Sequence, residues 1–310
     1  MRRSLFRTWN DLKRYDLSDF YGNEPVRRRL TEWLDAGRLP HCLLVTGPDG
    51  CGRGFLARTL AAAWLNDTAD LVARNIHPDC LTVSGEGASG LIPVRQIRDL
   101  VYELHKAPVM TEDRRVGLLG DVSRLNASSS NALLKALEEP PVGRVFLLCA
   151  RSADNLIETV RSRCVVLTLA PLGQQECLQV LLQRYPDYDG DRLADLSRTY
   201  GGRLGLIVKA LEVPGRLEIY DRAKRLTAAA LRADKLDVMA ALDSYTSAKS
   251  RTELKELLYD STMMLAPASS GPDAQSVTAL YDRIIETMSQ IDRYINPKIL
   301  AAWLAAGISN

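Results

Sequence analysis

The stretch "HCLLVTGPDGCGRG" (residues 41–54) joins a short apolar run to a glycine-rich segment, and a helix-forming stretch follows. The glycines of this segment are Gly47, Gly50 and Gly52. Their spacing is that of the phosphate-binding loop GxxxxGK(S/T), in which backbone N–H groups and a helix N-terminus surround phosphate oxygens. Arg53 stands in the place of the lysine, and Gly54 in the place of the hydroxyl that ligates Mg²⁺. The alternative is a glycine-rich turn that only connects a strand to a helix.

A second departure concerns the metal ion that such a loop uses. The apolar run "RVGLLG" (115–120) ends in Gly120 and continues with Asp121. ATP-hydrolysing proteins of this kind need one carboxylate for the Mg²⁺ shell and one that positions the attacking water. One of the two is absent here, and Gly54 removes a further ligand. We therefore predict a nucleotide-type fold that has lost ATP hydrolysis and uses no cofactor.

Further apolar runs predict the architecture of the sheet. They are "DCLTV" (79–83), "RVFLLCA" (144–150) and "CVVLTL" (164–169), and each is short and bounded by polar or turn residues. Near-continuous apolar runs are typical of strands buried on both faces. Helix-forming stretches lie between them, and "SSSNALLKALEE" is stopped by Pro140 and Pro141. Strands that alternate with helices predict an α/β fold with a parallel sheet.

The strand pattern stops after "APLG" (170–173). Short helices are predicted to about residue 212, around the turn "YGGRLG" (200–205), and "EVPGR" (212–216) marks a linker. The rest is predicted to be helical, with "PASSGPD" (267–273) as a break between two helices. In the last long helix apolar residues recur every three or four positions: Val277, Leu280, Ile284, Met288, Ile291 and Ile295.

Composition excludes several other classes of protein. The formal net charge of +2 does not argue for nucleic-acid binding by itself. The six cysteines form no CxxC pair, so we expect no zinc site, and we give the three histidines no metal role. No long apolar stretch follows the basic N-terminal arm, so we expect neither a signal peptide nor a membrane partner. We therefore expect a cytoplasmic location. The arm contains Arg2, Arg3, Arg7, Lys13 and Arg14.

Four segments taken together give the sequence a specific resemblance. They are "YGNEPVRRRLTEWLDAGRLPHCLLVTGPDGCGRG" (21–54), "HPD" (77–79), "NALLKALEEPP" (131–141) and "RSRC" (161–164). In this order they resemble the bacterial clamp-loader family of AAA+ proteins. The resemblance implies an AAA+ P-loop domain with a parallel sheet over residues 1–169, a small helical lid over 170–212, and a helical collar for oligomerisation over 213–310.

Within this family the sequence resembles the delta-prime class, whose phosphate loop has decayed, more than the ATP-hydrolysing gamma and tau subunits. The substitutions at Arg53, Gly54 and Gly120 match that class. The resemblance implies gamma/tau-type and delta-type subunits as partners, and the sliding clamp and primed DNA as partners of the whole complex. Better-known members carry a four-cysteine zinc module before "HPD", and this sequence lacks it.

The family resemblance also implies a role for the SRC motif at residues 162–164. Its arginine, Arg163, would project into the ATP site of a neighbouring subunit as an arginine finger. The alternative is a surface arginine in a salt bridge, and we expect Cys164 to pack. Arg203 stands where the family has a basic sensor residue. The alternative is that Arg203 only caps or pairs locally. Two other functions remain open, a gamma-type ATPase with residual nucleotide binding and a DNA-binding module with a relic fold.

Overall fold

The computed structural model describes residues 17, 19–66, 69–86, 90–242, 251–266, 274–291 and 297–307. The described residues divide into two compact units. The first comprises the chain up to 197 with 201–205, and the second comprises 198–200 and the chain from 206 onward. The division into three domains at 169 and 212 stays a prediction. Three earlier expectations lie outside the described residues: the basic arm, the "PASSGPD" break and Ile295 of the apolar stripe.

The first unit is built on a five-stranded sheet in the order β2-β3-β4-β1-β5, in which all paired neighbours are parallel. Its strands are β1 Cys42–Thr46, β2 Cys80–Val83, β3 Arg115–Asp121, β4 Arg144–Ala150 and β5 Val165–Thr168. Each predicted apolar run has become a strand. All five residues of β1 are buried, because β1 lies between two other strands and helices cover both faces.

Helices lie on both faces of this sheet. Those packed on it are α1 Glu24–Asp35, α2 Arg53–Leu65, α3 Ala69–Ala73, α4 Val94–His105, α5 Ala127–Glu138 and α6 Glu158–Arg161. The chain continues with α7 Gln174–Arg184, α8 Gly190–Thr199 and α9 Leu204–Glu212, and the residues of α8 and α9 are divided between the two units. The side chain of Asn126 caps α5 by accepting the N–H of Ser129 at 2.9 Å. The helix ends before Pro140, as its sequence predicts.

The hydrophobic core of the first unit forms two layers, one on each face of the sheet. Alternate residues of β1 face opposite sides, so Leu43 packs with α2 while Leu44 packs with α4 and α5. Each fully buried leucine contributes about 1.5–3 kcal/mol relative to an exposed one. This two-sided burial fixes the ends of the strands, where the charged residues discussed below lie.

The "HPD" motif lies at the amino edge of the sheet, which is the side where the parallel strands begin. Asp79 is fully buried and accepts backbone N–H groups from Val109 and Met110 at 2.8 Å and from Thr111 at 3.0 Å. Its carboxylate also lies 3.2 Å from Nε of Arg115. Burial acts to raise the pKa of Asp79, but the backbone hydrogen bonds and Arg115 outweigh it, so the pKa is lowered. The motif therefore ties the segment between α4 and β3 to the start of β2.

The second unit is helical in its described part, as the sequence predicts. Its further helices are α10 Arg216–Leu231, α11 Lys235–Leu242, α12 Arg251–Leu265, α13 Ala274–Ile291 and α14 Pro297–Gly307. Four members of the predicted apolar stripe on α13 are buried in its core: Val277, Leu280, Ile284 and Ile291. Among the helices of the described chain, none combines the length and apolarity that crossing a membrane requires.

Candidate functional site

The glycine loop connects β1 to α2 and keeps the shape that its sequence predicts. Gly47 has φ 143°, and a Cβ there would lie 2.5 Å from the carbonyl oxygen of Leu169, so a larger residue does not fit. Gly52 occupies the N-cap of α2 with φ 88° in the left-handed region. The turn that could surround a phosphate is therefore present.

The anion inside this loop belongs to the chain itself. The carboxylate of Asp49 binds Nη2 of Arg53 at 2.6 Å with one oxygen and Nη2 of Arg151 at 2.5 Å with the other. Arg53 is the first residue of α2, and Arg151 directly follows β4, where its carbonyl accepts the N–H of Gly47 at 3.1 Å. The Arg53 side chain is only 15% exposed, so its pairing with Asp49 is less screened by solvent than a surface salt bridge.

Two further features oppose a metal ion at the start of α2. Gly54 offers no ligand, and a Cβ at that position would lie 3.6 Å from Nη1 of Arg58. This is an ordinary contact distance, so a serine or threonine would fit, but a metal ion bound there would face the Arg58 charge. Nη1 of Arg53 is buried and has no acceptor among the residues that the structure describes. This nitrogen is therefore a buried donor beside the loop that lacks an acceptor within the described chain.

The single carboxylate at the end of β3 serves as a local cap. Asp121 accepts both the N–H and the hydroxyl of Ser123, at 3.2 and 2.6 Å, and so caps the short 3-10 turn that follows. The pairing of β3 with β4 shifts register between Leu119 and Asp121. A Cβ on Gly120 would meet its nearest atom, the carbonyl oxygen of Val83, at 3.5 Å. The backbone around residue 120 therefore leaves room for a Cβ atom.

The turn that carries Arg203 lies against the glycine loop. The N–H of Gly205 donates to the carbonyl of Gly50 at 2.8 Å, and a Cβ on Gly205 would lie 2.9 Å from that oxygen. Burial raises the pKa of the Cys51 thiol, and the nearby charges of Arg203 and Arg53 partly oppose that rise. Arg203 thus lies in a turn that contacts the loop, and its role stays a prediction.

The SRC motif lies between α6 and β5, and Arg163 is on the surface. Its Nη2 donates to Glu138 at 2.6 Å, its Nη1 donates to the carbonyl of Thr159 at 2.8 Å, and its side chain is 35% exposed. The salt bridge that the sequence left open for this arginine is therefore present in the chain by itself. Two residues earlier, Arg161 pairs with the carboxylate of Asp154 at 3.2 Å.

The glycine loop and Arg163 lie at opposite ends of the parallel strands, called here the carboxyl edge and the amino edge of the sheet. The loop follows the carboxyl end of β1, whereas Arg163 precedes the amino end of β5, and the two strands are parallel neighbours. The four residues of β5 alone span roughly 13 Å at about 3.3 Å per residue. Arg163 is therefore too far from the glycine loop of its own chain to contact a phosphate bound there.

Three residues near the loop were not found from the sequence. Asp49 lies four residues before Arg53, but it belongs to the turn before α2, so the rule for ion pairs within a helix does not identify this contact. Arg151 reaches the same carboxylate only because β4 pairs with β1. Arg58 reaches Gly54 through the helical turn between them.

Sequence comparisons place these features among known proteins. Residues 22–173 match the sequence model of the family described as "DNA polymerase III, delta subunit". The delta' subunit of DNA polymerase III from Pseudomonas aeruginosa is 33% identical over 174 residues, 52% of this chain and 53% of that protein. The gamma subunit from Buchnera aphidicola is 28% identical over 53% of this chain and 47% of its own length. The chain thus spans about half the length of these relatives.

Solved structures share the fold at low sequence identity. A gamma subunit-related protein of DNA polymerase III from Thermotoga maritima superimposes with a TM-score of 0.56 and 17% identity, over 89% of this chain and 97% of that chain. A RuvB structure from the same organism gives 0.51 and 16%, over 93% and 90%. The prediction of an AAA+ P-loop sheet followed by a helical C-terminal region is confirmed. The match over residues 22–173 and the delta' relatives support a member of the clamp-loader family of DNA polymerase III subunits.

Proposed function

We propose that this chain is a delta-prime-type subunit of a DNA polymerase III clamp loader. In this role it is a stationary member of the ring that does not hydrolyse ATP. It contacts a gamma/tau-type subunit and a delta-type subunit, and the complex places the sliding clamp on primed DNA. Its location is the cytoplasm. Arg163 acts in trans, as an arginine finger at the ATP site of the gamma/tau-type neighbour.

The position of Arg163 is the observation that carries this proposal. The arginine is partly exposed at the amino edge of the sheet, whereas the chain's own loop lies at the carboxyl edge. An arginine that stabilises charge on a γ-phosphate must reach that phosphate directly. From this edge Arg163 can do so only for a nucleotide held by another subunit.

The salt bridge to Glu138 is compatible with this role. Both side chains are substantially exposed, 35% for Arg163 and 51% for Glu138, and exposed ion pairs contribute only about 0.2–1 kcal/mol. A γ-phosphate that gains charge during transfer interacts more strongly with a guanidinium in a site from which water is excluded. The arginine can therefore exchange Glu138 for the phosphate when the neighbouring subunit docks.

The residues around the chain's own loop support the absence of hydrolysis. The carboxylate of Asp49 pairs with Arg53 and with Arg151, so two cations next to the glycine loop already have an anionic partner. Gly54 and Gly120 remove two ligands of the Mg²⁺ shell. Arg58 adds a positive charge beside Gly54. All of these features disfavour the Mg²⁺–ATP complex.

A gamma-type subunit with residual nucleotide binding is the second candidate. It is favoured by the preserved glycine turn and by the buried Nη1 of Arg53, which has no acceptor in the described part of the chain. The two candidates differ in one measurable property, which is ATP hydrolysis by the chain's own glycine loop. A gamma-type chain has this activity, and a delta-prime-type chain does not. A chain that only binds DNA would neither hydrolyse ATP nor enter a clamp-loader complex.

Reconstitution with partner subunits tests the proposal. The purified full-length chain is mixed with gamma-type and delta-type subunits, and the mixture is analysed by size-exclusion chromatography and by ATP hydrolysis with clamp and primed DNA. We expect the chain to elute in the complex, the complete complex to hydrolyse ATP, and the isolated chain to show no turnover. Mg²⁺-dependent turnover by the isolated chain would favour the gamma-type alternative, and failure to enter the complex would refute a clamp-loader role.

A further inference from the structure

Two cysteines from distant parts of the sequence face each other beside the SRC motif. The Sγ atoms of Cys42 and Cys164 are 3.1 Å apart. Cys42 begins β1, and Cys164 directly precedes β5. Leu43 pairs with Val165 in the sheet, so the two cysteines stand opposite each other one residue before that pair.

The backbone positions suit a disulfide bond. Neighbouring strands lie about 4.8 Å apart, which is within the Cα separation of about 4.4–6.8 Å that disulfides require. Both side chains point to the same face of the sheet, where they pack with the same hydrophobic cluster. The sulfur atoms therefore need to approach by only about 1 Å to reach bonding distance, without a change in strand register.

The two thiols differ in exposure and in acidity. Cys42 is buried at 1% exposure, whereas Cys164 is half-buried and so more accessible to a small oxidant. The hydrogen bond between the two thiols lowers the pKa of Cys164 against the effect of burial, and the same interaction together with burial raises the pKa of Cys42. Cys164 is therefore the better nucleophile, and Cys42 is placed to resolve its oxidised form.

We propose that Cys42 and Cys164 are a site of reversible oxidation that closes to a disulfide in the presence of a hydroperoxide. The Cys164 thiolate attacks one peroxide oxygen, the O–O bond breaks, and a sulfenic acid and hydroxide form. The Cys42 sulfur then attacks the sulfenic sulfur, and the hydroxyl group leaves as water with the Cys42 proton. Overall, two thiols and hydrogen peroxide give one disulfide and two waters.

The bond would act directly on the SRC motif. Cys164 follows Arg163 without an intervening residue, and the turn is otherwise held by hydrogen bonds such as Cys164 N–H to the Arg161 carbonyl at 3.1 Å. A covalent link to β1 would fix the end of this turn. A small dithiol would restore the free thiols by exchange.

Peptide mapping tests the proposal on the full-length chain. The native protein is treated with hydrogen peroxide, its remaining thiols are alkylated under denaturing conditions, and it is digested without reductant. Trypsin followed by a protease that cuts after Asp and Glu separates Cys42 from Cys51 at Asp49, and Cys164 from Cys177 at Glu176. We expect residues 39–49 to be linked to residues 164–176, with a mass two hydrogens below the sum of the free peptides.

Variants and reductant provide the controls. The linked peptide should disappear with dithiothreitol and in both Cys42→Ala and Cys164→Ser, and it should persist in Cys177→Ser, which alters a buried cysteine elsewhere. Circular dichroism verifies that each variant is folded. Sulfinic acid at Cys164 with Cys42 still alkylated would overturn the proposal, and so would peroxide treatment that leaves both peptides free. This mapping does not depend on the proposed function, because it requires no partner subunit.

Discussion

The arginines at the two edges of the sheet differ in exposure and in the exposure of their ion-pair partners. At the carboxyl edge Arg53 is 15% exposed and its charge is paired with Asp49 inside the glycine loop. At the amino edge Arg163 is 35% exposed and pairs with an exposed glutamate. The Arg53 ion pair is therefore largely shielded from solvent, whereas the Arg163 ion pair is exposed.

Under the proposed function, this difference would let a phosphate-binding fold take part in ATP hydrolysis by a neighbouring subunit without hydrolysing ATP itself. The glycine turn still positions β1, α2 and the Gly205 turn relative to one another, so it remains useful as structure. The SRC turn depends on the same sheet for its place, since β5 pairs with β1.

The largest expected effect comes from removing the exposed arginine. In a reconstituted complex in which only the neighbouring gamma-type site can bind ATP, Arg163→Ala should slow hydrolysis by about 10³-fold, since arginine fingers contribute that much or more. With all sites active the fall in total rate should be smaller. The free energy of unfolding should change by less than about 0.5 kcal/mol, because the side chain is partly exposed and its ion pair is weak.

The neighbouring Arg161→Ala is the matched control. Arg161 is also an exposed arginine in an ion pair, but with Asp154, and it should leave the rate of ATP hydrolysis nearly unchanged. Gel filtration should verify that both variants assemble. An unaltered rate for Arg163→Ala in an assembled complex would make the SRC motif structural and would remove the contrast between the two edges.

The second prediction compares Arg163 with a buried ion pair at the same edge. Asp79→Asn should lower the free energy of unfolding by about 2–4 kcal/mol, because it weakens three charge-assisted hydrogen bonds and leaves Arg115 without a charged partner. Urea unfolding of both proteins at pH 7 measures the difference. A loss below about 0.5 kcal/mol would mean that the buried pair is no stronger than the exposed one.

The same variant has a pH dependence of defined sign. The pKa of Asp79 is lower in the folded chain than its ordinary value, so its contribution is fully present above the unfolded pKa of about 3.9. It is lost as the pH falls through the folded pKa. The stability difference between wild type and Asp79→Asn should therefore shrink below pH 4. A difference that stays constant in acid would contradict the assigned direction of the shift.

The third prediction concerns the carboxyl edge. Wild type should bind ATP weakly or not at all, and Asp49→Asn should raise the affinity for a fluorescent ADP analogue about tenfold, or about 1.4 kcal/mol, by freeing Arg53 and Arg151. Titration of the purified chain without partners measures this. Asp154→Asn is the control, since it removes an exposed carboxylate from the other edge. Equal affinities in all three proteins would mean that shape, and not Asp49, excludes the nucleotide.

Much of the fold could be predicted, because local pattern and burial agree in this part of the chain. The five apolar runs correspond to five strands, and the spacing of the glycines places the loop between a strand and a helix. The site was harder, because its charges meet through tertiary structure. The Asp49–Arg151 pair depends on β4 lying beside β1, and the Cys42–Cys164 contact depends on the register of β1 and β5. Neither relation leaves a short-range signal in the sequence.

The smallest expected effect comes from the glutamate that binds Arg163. It tests whether Glu138 only holds the arginine in the free chain or also orients it for the ATPase reaction. Glu138→Gln removes the charge that binds Nη2 of Arg163 but keeps an oxygen that can still accept a hydrogen bond. Because Nη1 also donates to Thr159 and the pair is exposed, the free energy of unfolding should fall by less than about 1 kcal/mol. The ATPase rate of the reconstituted complex should change by less than about threefold, since that corresponds to roughly 0.7 kcal/mol. A fall in the ATPase rate as large as that of Arg163→Ala would show that Arg163 acts only while Glu138 holds it. The chain's own ion pair would then position the arginine at the amino edge, as Asp49 positions Arg53 at the carboxyl edge.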